Sequence, residues 1–201
     1  MAEKFIIEVY KEKNAEDITK LIADPDSKLE TGSAAAYNMA FAMAFICRAA
    51  AICKKEGKSG EELEYVERNA DSLRKYMVHL IDEDVKCRNA LRQALKKGEN
   101  EFAVSKTRET ATLIASELVN EAQNGFELAL KLVDMCSEDA KPYLQQFAYT
   151  AVAAANTAIS YIIAMSSKSI DDTFRYVAKR QHELMMEEVM AKNAALMEKL
   201  G

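Results

Sequence analysis

One carboxylate stands where a leucine is expected. Between Ser59 and Lys97 an apolar seam runs Leu73, Met77, Leu80, Asp84, Cys87, Leu91, Leu95. Its spacing alternates between four and three over most of its length, as in coiled-coil packing. Burying an unpaired carboxylate is costly, so Asp84 needs a reason to be there. One reading is chemical: a carboxylate held partly dry at a cleft can move a proton. The other is structural: a buried ion pair with Arg48 or Arg88, or a seam that turns to solvent at that point. Asp82 and Glu83 fall off the seam and read as ordinary solvated charges.

The other chemistry-bearing residues fail their patterns. A di-metal bundle needs Glu-x-x-His, but Tyr76 precedes His79 and Lys179 precedes His182 by three. His182-Glu183-Leu184-Met185-Met186 starts like a zinc-protease helix and lacks its second histidine. There is no phosphate-binding glycine loop and no G-x-S-x-G elbow. Cys47, Cys53, Cys87 and Cys136 form no C-x-x-C pair, and two histidines are too few to complete a zinc site with them. They read as free, mostly buried thiols of a reducing cytoplasm. No metal is expected. Met185, Met186, Met190 and Met197 read as packing, including packing at a subunit interface.

The elements that must position Asp84 are helices. Two prolines and six glycines in 201 residues leave room for long uninterrupted helices. The hydrophobic fraction of 49% and charged fraction of 29% suit one globular domain over residues 1–201. A net charge of −5 without a basic stripe argues against nucleic acid as a partner. MAEKFIIEVYKEKN lacks the core and cleavage site of a signal peptide. Ser33 to Cys53 is apolar, yet it contains Asn38 and Arg48 and is mostly alanine, which favours a packed interior helix over a membrane span. A soluble cytoplasmic protein is expected.

Six helices follow from the capping and periodicity signals. Asn14 caps Ala15 to Ala23, with Asp17 at the reciprocal position. Ser33 opens a helix to about Glu56, stopped by Gly57. Ser59, with Glu62 three residues on, caps a helix to about Lys97. A fourth runs from Glu101 to Cys136 on a stripe of Ala103, Leu113, Ile114, Leu118, Ala122, Phe126, Ala129 and Val133, with Gly125 as a bend point. A fifth starts at Asp139 to Pro142 and ends near Met165. Ser169 or Asp171-Asp172 opens the last, which ends near Leu200. The second and fifth are rich in alanine on nearly every face, which suits helices in the middle of a bundle. The fold expected is an all-α, up-and-down bundle with two central alanine-rich helices.

Three stretches resemble the cyclodeaminase/cyclohydrolase family of folate enzymes over nearly the full length. That family includes methenyltetrahydrofolate cyclohydrolases, formiminotetrahydrofolate cyclodeaminases and the C-terminal half of formiminotransferase-cyclodeaminase. Leu21-Ile22-Ala23 and the loop to Gly32-Ser33-Ala34-Ala35-Ala36 are similar to a Pro-Thr-Pro-Gly-Gly-Gly-Ser loop before an alanine-rich helix. Leu80-Ile81-Asp82-Glu83-Asp84 resembles a Leu-x-x-x-Asp segment. Lys168-Ser169-Ile170-Asp171-Asp172-Thr173-Phe174 resembles Lys-Ser-Ile-x-Asp-x-x-Phe, with Phe174 one residue early.

The resemblance implies an all-helical homodimer, a tetrahydrofolate derivative as substrate and no further cofactor. It implies Asp84 as the catalytic residue and Gly32 and Ser33 as substrate-binding residues. The reactions implied are cyclodeaminase closure of a ring with loss of ammonia, or cyclohydrolase opening by water. The chain departs from the family at Leu29, Glu30 and Thr31 in the loop, and at Leu144, Ile162 and Ser166 around the fifth helix. Glu30 puts a negative charge where an anionic folate tail would approach. The departures imply the alternative of a catalytically altered or inactive member that binds a ligand or a partner protein.

Overall fold

The computed structural model describes residues 9–201. The reading of the N-terminus as no leader falls partly on residues 1–8, outside the described residues. Six helices make up the fold: α1 (Ala15–Ala23), α2 (Thr31–Lys55), α3 (Glu61–Lys96), α4 (Glu101–Val133), α5 (Lys141–Ser166) and α6 (Asp172–Leu200). No strand occurs among the described residues.

The helix ends show which capping signals act. The Asn14 side chain accepts from the Asp17 amide at 2.9 Å, Asn100 from Ala103 at 3.0 Å, and Asp171 from Phe174 at 2.9 Å. Asp171 is therefore the opener of α6. Ser33 and Ser59 do not cap. α2 starts two residues before Ser33, behind Glu30, because the Ser33 hydroxyl is turned inward to a buried carboxylate. α3 starts after Gly60, whose φ of 141° is open to glycine and strained for other residues. Glu61, Glu62 and Glu64 then place negative charge at the positive end of the helix dipole.

α4 is continuous through Gly125. A Cβ there would fall 2.6 Å from Met43 Cε and 3.1 Å from Phe147 Cε2, so the glycine allows α2 and α5 to approach closely rather than bending its own helix. α4 packs against α2, α3, α5 and α6, and so holds the centre of the bundle. α2 and α5 lie against each other and against α4, with α3 also on α2 and α6 also on α5. Their outer faces remain open within this chain: Phe41 is 58% exposed, Tyr149 55% and Ile163 39%. Both helices are long and apolar enough to cross a membrane, and half of each such window is buried inside the bundle.

The core draws Met39, Met43 and Ile46 from α2, Met77, Leu80 and Ile81 from α3, Leu118, Phe126 and Leu132 from α4, and Phe147 and Ile162 from α5. Phe126 and Phe147 meet edge to face at 4.8 Å. The expected stripes hold except at two leucines. Leu95 and Leu113 face outward, and Ala94 and Ile114 beside them are buried. A straight helix drifts about 20° per heptad against a 3.5-residue repeat, which turns the end of the α3 seam off the core. Among the five long helices α6 is anchored most lightly. It buries Ala178, His182, Val189 and Leu196, and His182 Nε2 shares a hydrogen bond of 2.8 Å with Ser116 Oγ of α4. The four thiols are free, with Cys53 buried and the others half-buried. Cys53 and Cys136 lie 3.8 Å apart, and burial together with Cys53 pushes the Cys136 thiol up to about 12.

Candidate active site

Asp84 is fully buried, and its carboxylate is satisfied from two helices. Ser33 Oγ donates to Oδ2 at 2.7 Å from the first turn of α2. Arg88 Nε, one helical turn on in α3, lies 3.1 Å from Oδ1 and 3.0 Å from Oδ2. The i, i+4 spacing puts arginine and aspartate on one face of α3. Of the two arginines considered from sequence, Arg88 is the partner; Arg48 sits over the ring of Tyr143, 5.8 Å from its centroid.

Gly32 is the third member. A Cβ there would run into Asp84 Oδ1 and come within 2.8 Å of Arg88 Nη2. The absence of a side chain therefore lets the α2 backbone rest on the Asp84–Arg88 pair. The three residues singled out from sequence, Gly32, Ser33 and Asp84, meet at one point.

The site extends to Tyr161, which the sequence did not single out, and to Glu30, one of the loop departures. The Arg88 guanidinium carbon stacks 4.0 Å from the ring centroid of Tyr161 in α5. Burial pushes the Tyr161 phenol up, against the opposing pull of Arg88. Burial likewise raises the Cys87 thiol, followed by the charge of neighbouring Asp84. The Glu30 carboxylate bridges Arg88 Nη1 and Arg92 Nη2. The four charges, Asp84 and Glu30 against Arg88 and Arg92, cancel. Asp84 to Arg88 to Arg92 is a run of four-residue steps on α3 and was there to be read. Tyr161 lay hidden in the apolar pattern of α5.

Asp82 is not a free surface charge. Its Oδ1 accepts from the Tyr10 amide at 2.8 Å and the Lys11 amide at 3.3 Å, tying the segment before α1 to α3. Tyr37 donates to the Tyr10 carbonyl at 2.6 Å, and burial followed by Asp82 raises its phenol to about 12.

The Lys168–Phe174 stretch builds a turn. Ser169 Oγ meets Ser105 Oγ at 2.6 Å and accepts from the Asp171 amide at 3.1 Å, and Arg175 donates to the Ser169 carbonyl at 2.8 Å. Leu144 and Ile162 are buried apolar residues of the core, and the Ser166 hydroxyl donates back to the Ile163 carbonyl at 3.2 Å.

A concavity of about 560 Å³ lies elsewhere, between the start of α3 and the end of α4, lined by Glu61, Glu62, Glu64, Tyr65, Arg68 and Lys131. Glu64 is twenty residues from Asp84, about 30 Å along the helix. Its lining is solvated charge, and the buried convergence of groups is at Asp84. Among the described residues no three His, Cys, Asp or Glu side chains cluster as metal ligands would.

No curated protein matches the chain. The crystal structure of formiminotetrahydrofolate cyclodeaminase from Thermotoga maritima has the same fold, with a TM-score of 0.86 at 14% identity, covering 94% of this chain and 96% of that one. The family model described as formiminotransferase-cyclodeaminase matches residues 14–199. With nearly its whole length matched, the chain belongs to the formiminotransferase-cyclodeaminase family.

Proposed function

We propose that this protein is a cytoplasmic folate one-carbon enzyme, a formiminotetrahydrofolate cyclodeaminase, a methenyltetrahydrofolate cyclohydrolase or both. The observation that carries the reading is the buried Asp84, held by Ser33 and Arg88 against the bare backbone of Gly32. Both reactions pass through a tetrahedral carbon between nitrogens. In ring closure N10 attacks the formimino carbon, N10 loses its proton, and ammonia leaves with one. In ring opening water adds to the methenyl carbon and loses a proton, the carbon–N5 bond breaks as N5 is protonated, and the hydroxyl gives up its remaining proton as the formyl carbonyl forms. Each needs one group that takes a proton and returns it. Asp84 is that group, Ser33 is the hydroxyl through which the proton reaches it, and Arg88 fixes the carboxylate's orientation. The chain works as a symmetric homodimer, with the open faces of α2 and α5 as the contact surface, and without a metal.

The test is a spectrophotometric assay with 5,10-methenyltetrahydrofolate and 5-formiminotetrahydrofolate in parallel. Asp84→Asn should lower turnover by about 10²–10⁴-fold. Glu83→Gln is the control, because Glu83 pairs on the surface with Lys86. Asp82 would mislead as a control, since it anchors Tyr10. Turnover of neither substrate by the folded wild type would support the second reading, a member that binds without reacting. The observation that favours that reading is Glu30 seated on the arginines beside Asp84.

A further inference from the structure

The first turn of α2 gathers more hydrogen-bond donors than its neighbours use. Arg88 is 3% exposed, and its Nη2 is buried with no hydrogen-bond partner among the described residues. That nitrogen faces α2, since a Cβ on Gly32 would lie 2.8 Å from it. The hydroxyl of Tyr161, whose ring stacks on the same guanidinium, is also buried without a partner. No side chain caps the amides that open α2. Unsatisfied amides at a helix start favour negative charge, and an arginine fork fits a carboxylate.

A carboxylate is already there. Glu30 reaches from the loop before α2 and pairs with Arg88 Nη1 and Arg92 Nη2. Its side chain is 40% exposed and that of Arg92 is 38% exposed, so this end of the site opens to solvent while Arg88 and Asp84 lie beneath. Glu30 makes no capping bond to α2, so its carboxylate can leave without uncapping the helix. Its departure would leave Arg88 Nη1 without an acceptor and Arg92 without its anion, while Asp84 still pairs with Arg88, so the two arginines would then carry one positive charge in excess of Asp84 for another anion to meet.

We propose that Arg88 and Arg92 form a carboxylate-binding site in which Glu30 is the resident internal ligand, and that a carboxylate of the substrate exchanges with it. The substrate half rests on the folate reading, because folates carry glutamyl carboxylates. The site itself does not. An internal ligand lowers apparent affinity by the fraction of time it occupies the site, so Glu30 sets how tightly anionic ligands bind.

The test uses the wild type, Glu30→Ala, Glu30→Gln and the double variant Glu30→Ala/Arg92→Gln. Sodium acetate is titrated against sodium chloride at equal ionic strength while the melting temperature is followed. Acetate should raise the melting temperature of Glu30→Ala saturably and leave the wild type and the double variant at their chloride values. If Glu30→Ala does not fold, Glu30→Gln, with the same length and no charge, is read in its place. Acetate acting no differently from chloride would overturn the site. In parallel, 5-formyltetrahydrofolate and its pteroate counterpart without the glutamyl group are titrated calorimetrically. Glu30→Gln should bind the glutamyl compound about tenfold tighter than the wild type and the pteroate equally. Equal affinity of both proteins for both ligands would overturn the exchange. If no folate binds any variant, the substrate half falls with the folate reading, and acetate still decides the site.

Discussion

At Asp84 the chemical and structural readings of the sequence turn out to share the same atoms. The residue is an ion-pair partner of Arg88 and also the only fully buried carboxylate among the described residues. Removing its charge should therefore cost stability as well as rate. Breaking a buried pair costs about 3–5 kcal/mol, so Asp84→Asn should melt lower, and turnover per folded molecule decides whether the charge also works on substrate. An Asp84→Asn protein with full activity per folded molecule would falsify the proton-transfer role. Ser33→Ala removes one hydrogen bond to a charged acceptor, worth about 1.5–3 kcal/mol, and should lower the melting temperature measurably. Gly32→Ala is the harsher change, because its methyl meets the carboxylate and the guanidinium together. Crowding of a packed site costs about 1–3 kcal/mol, and thermal melting should show Gly32→Ala below the wild type despite alanine's better helix propensity. The anomaly at Asp84 was legible because a charge interrupts an apolar period. Tyr161 was not, because a helical tyrosine has an ordinary explanation, and Glu30 was visible only as a charged departure in a loop until the fold seated it on Arg88.

Helix ends separate local signals from tertiary ones. Asn14 and Asp171 cap as local rules require, since their partners lie three residues away. Ser33 obeys a distant partner, 51 residues on, and no local rule sees it. The Asp171 cap carries a pH signature. Accepting the Phe174 amide lowers the Asp171 carboxyl below its ordinary 3.8, so its charge stabilises the fold above that value. The stabilisation is lost as pH falls through the lowered pKa. Asp171→Asn keeps the acceptor and drops the charge. Its melting temperature should lie below the wild type at neutral pH, and the gap should close in acid below 3.8; a gap that persists there would sink the idea. Gly125 was read from sequence as a bend and proved to be a point of contact, because glycine's meaning inside a helix depends on what faces it.

The six-helix plan and its family were legible in the whole chain, because helix period, alanine content and three short stretches all point the same way. The layering was only half legible. Alanine on every face marks a helix approached from several sides; α2 is approached by α3, α4 and α5, and α5 by α2, α4 and α6, and each keeps one open strip. Light scattering should give about twice 22.4 kDa, and Phe41→Glu with Tyr149→Glu should give monomers. A wild type that scatters as 22.4 kDa at working concentration would count against the dimer. The light anchoring of α6 bears on the order in which the molecule comes apart. Local opening takes least free energy where few apolar contacts must be broken. α1, with Ile18 alone buried, is a short outlying turn; of the long helices α6, with four buried residues along 29, is the first to open, whereas α4, enclosed by four neighbours, opens only with the whole. Among the long helices native-state amide hydrogen exchange should therefore be fastest through α6, with α4 amides exchanging only at the rate of global unfolding. The chain would behave as a durable body carrying a detachable final helix.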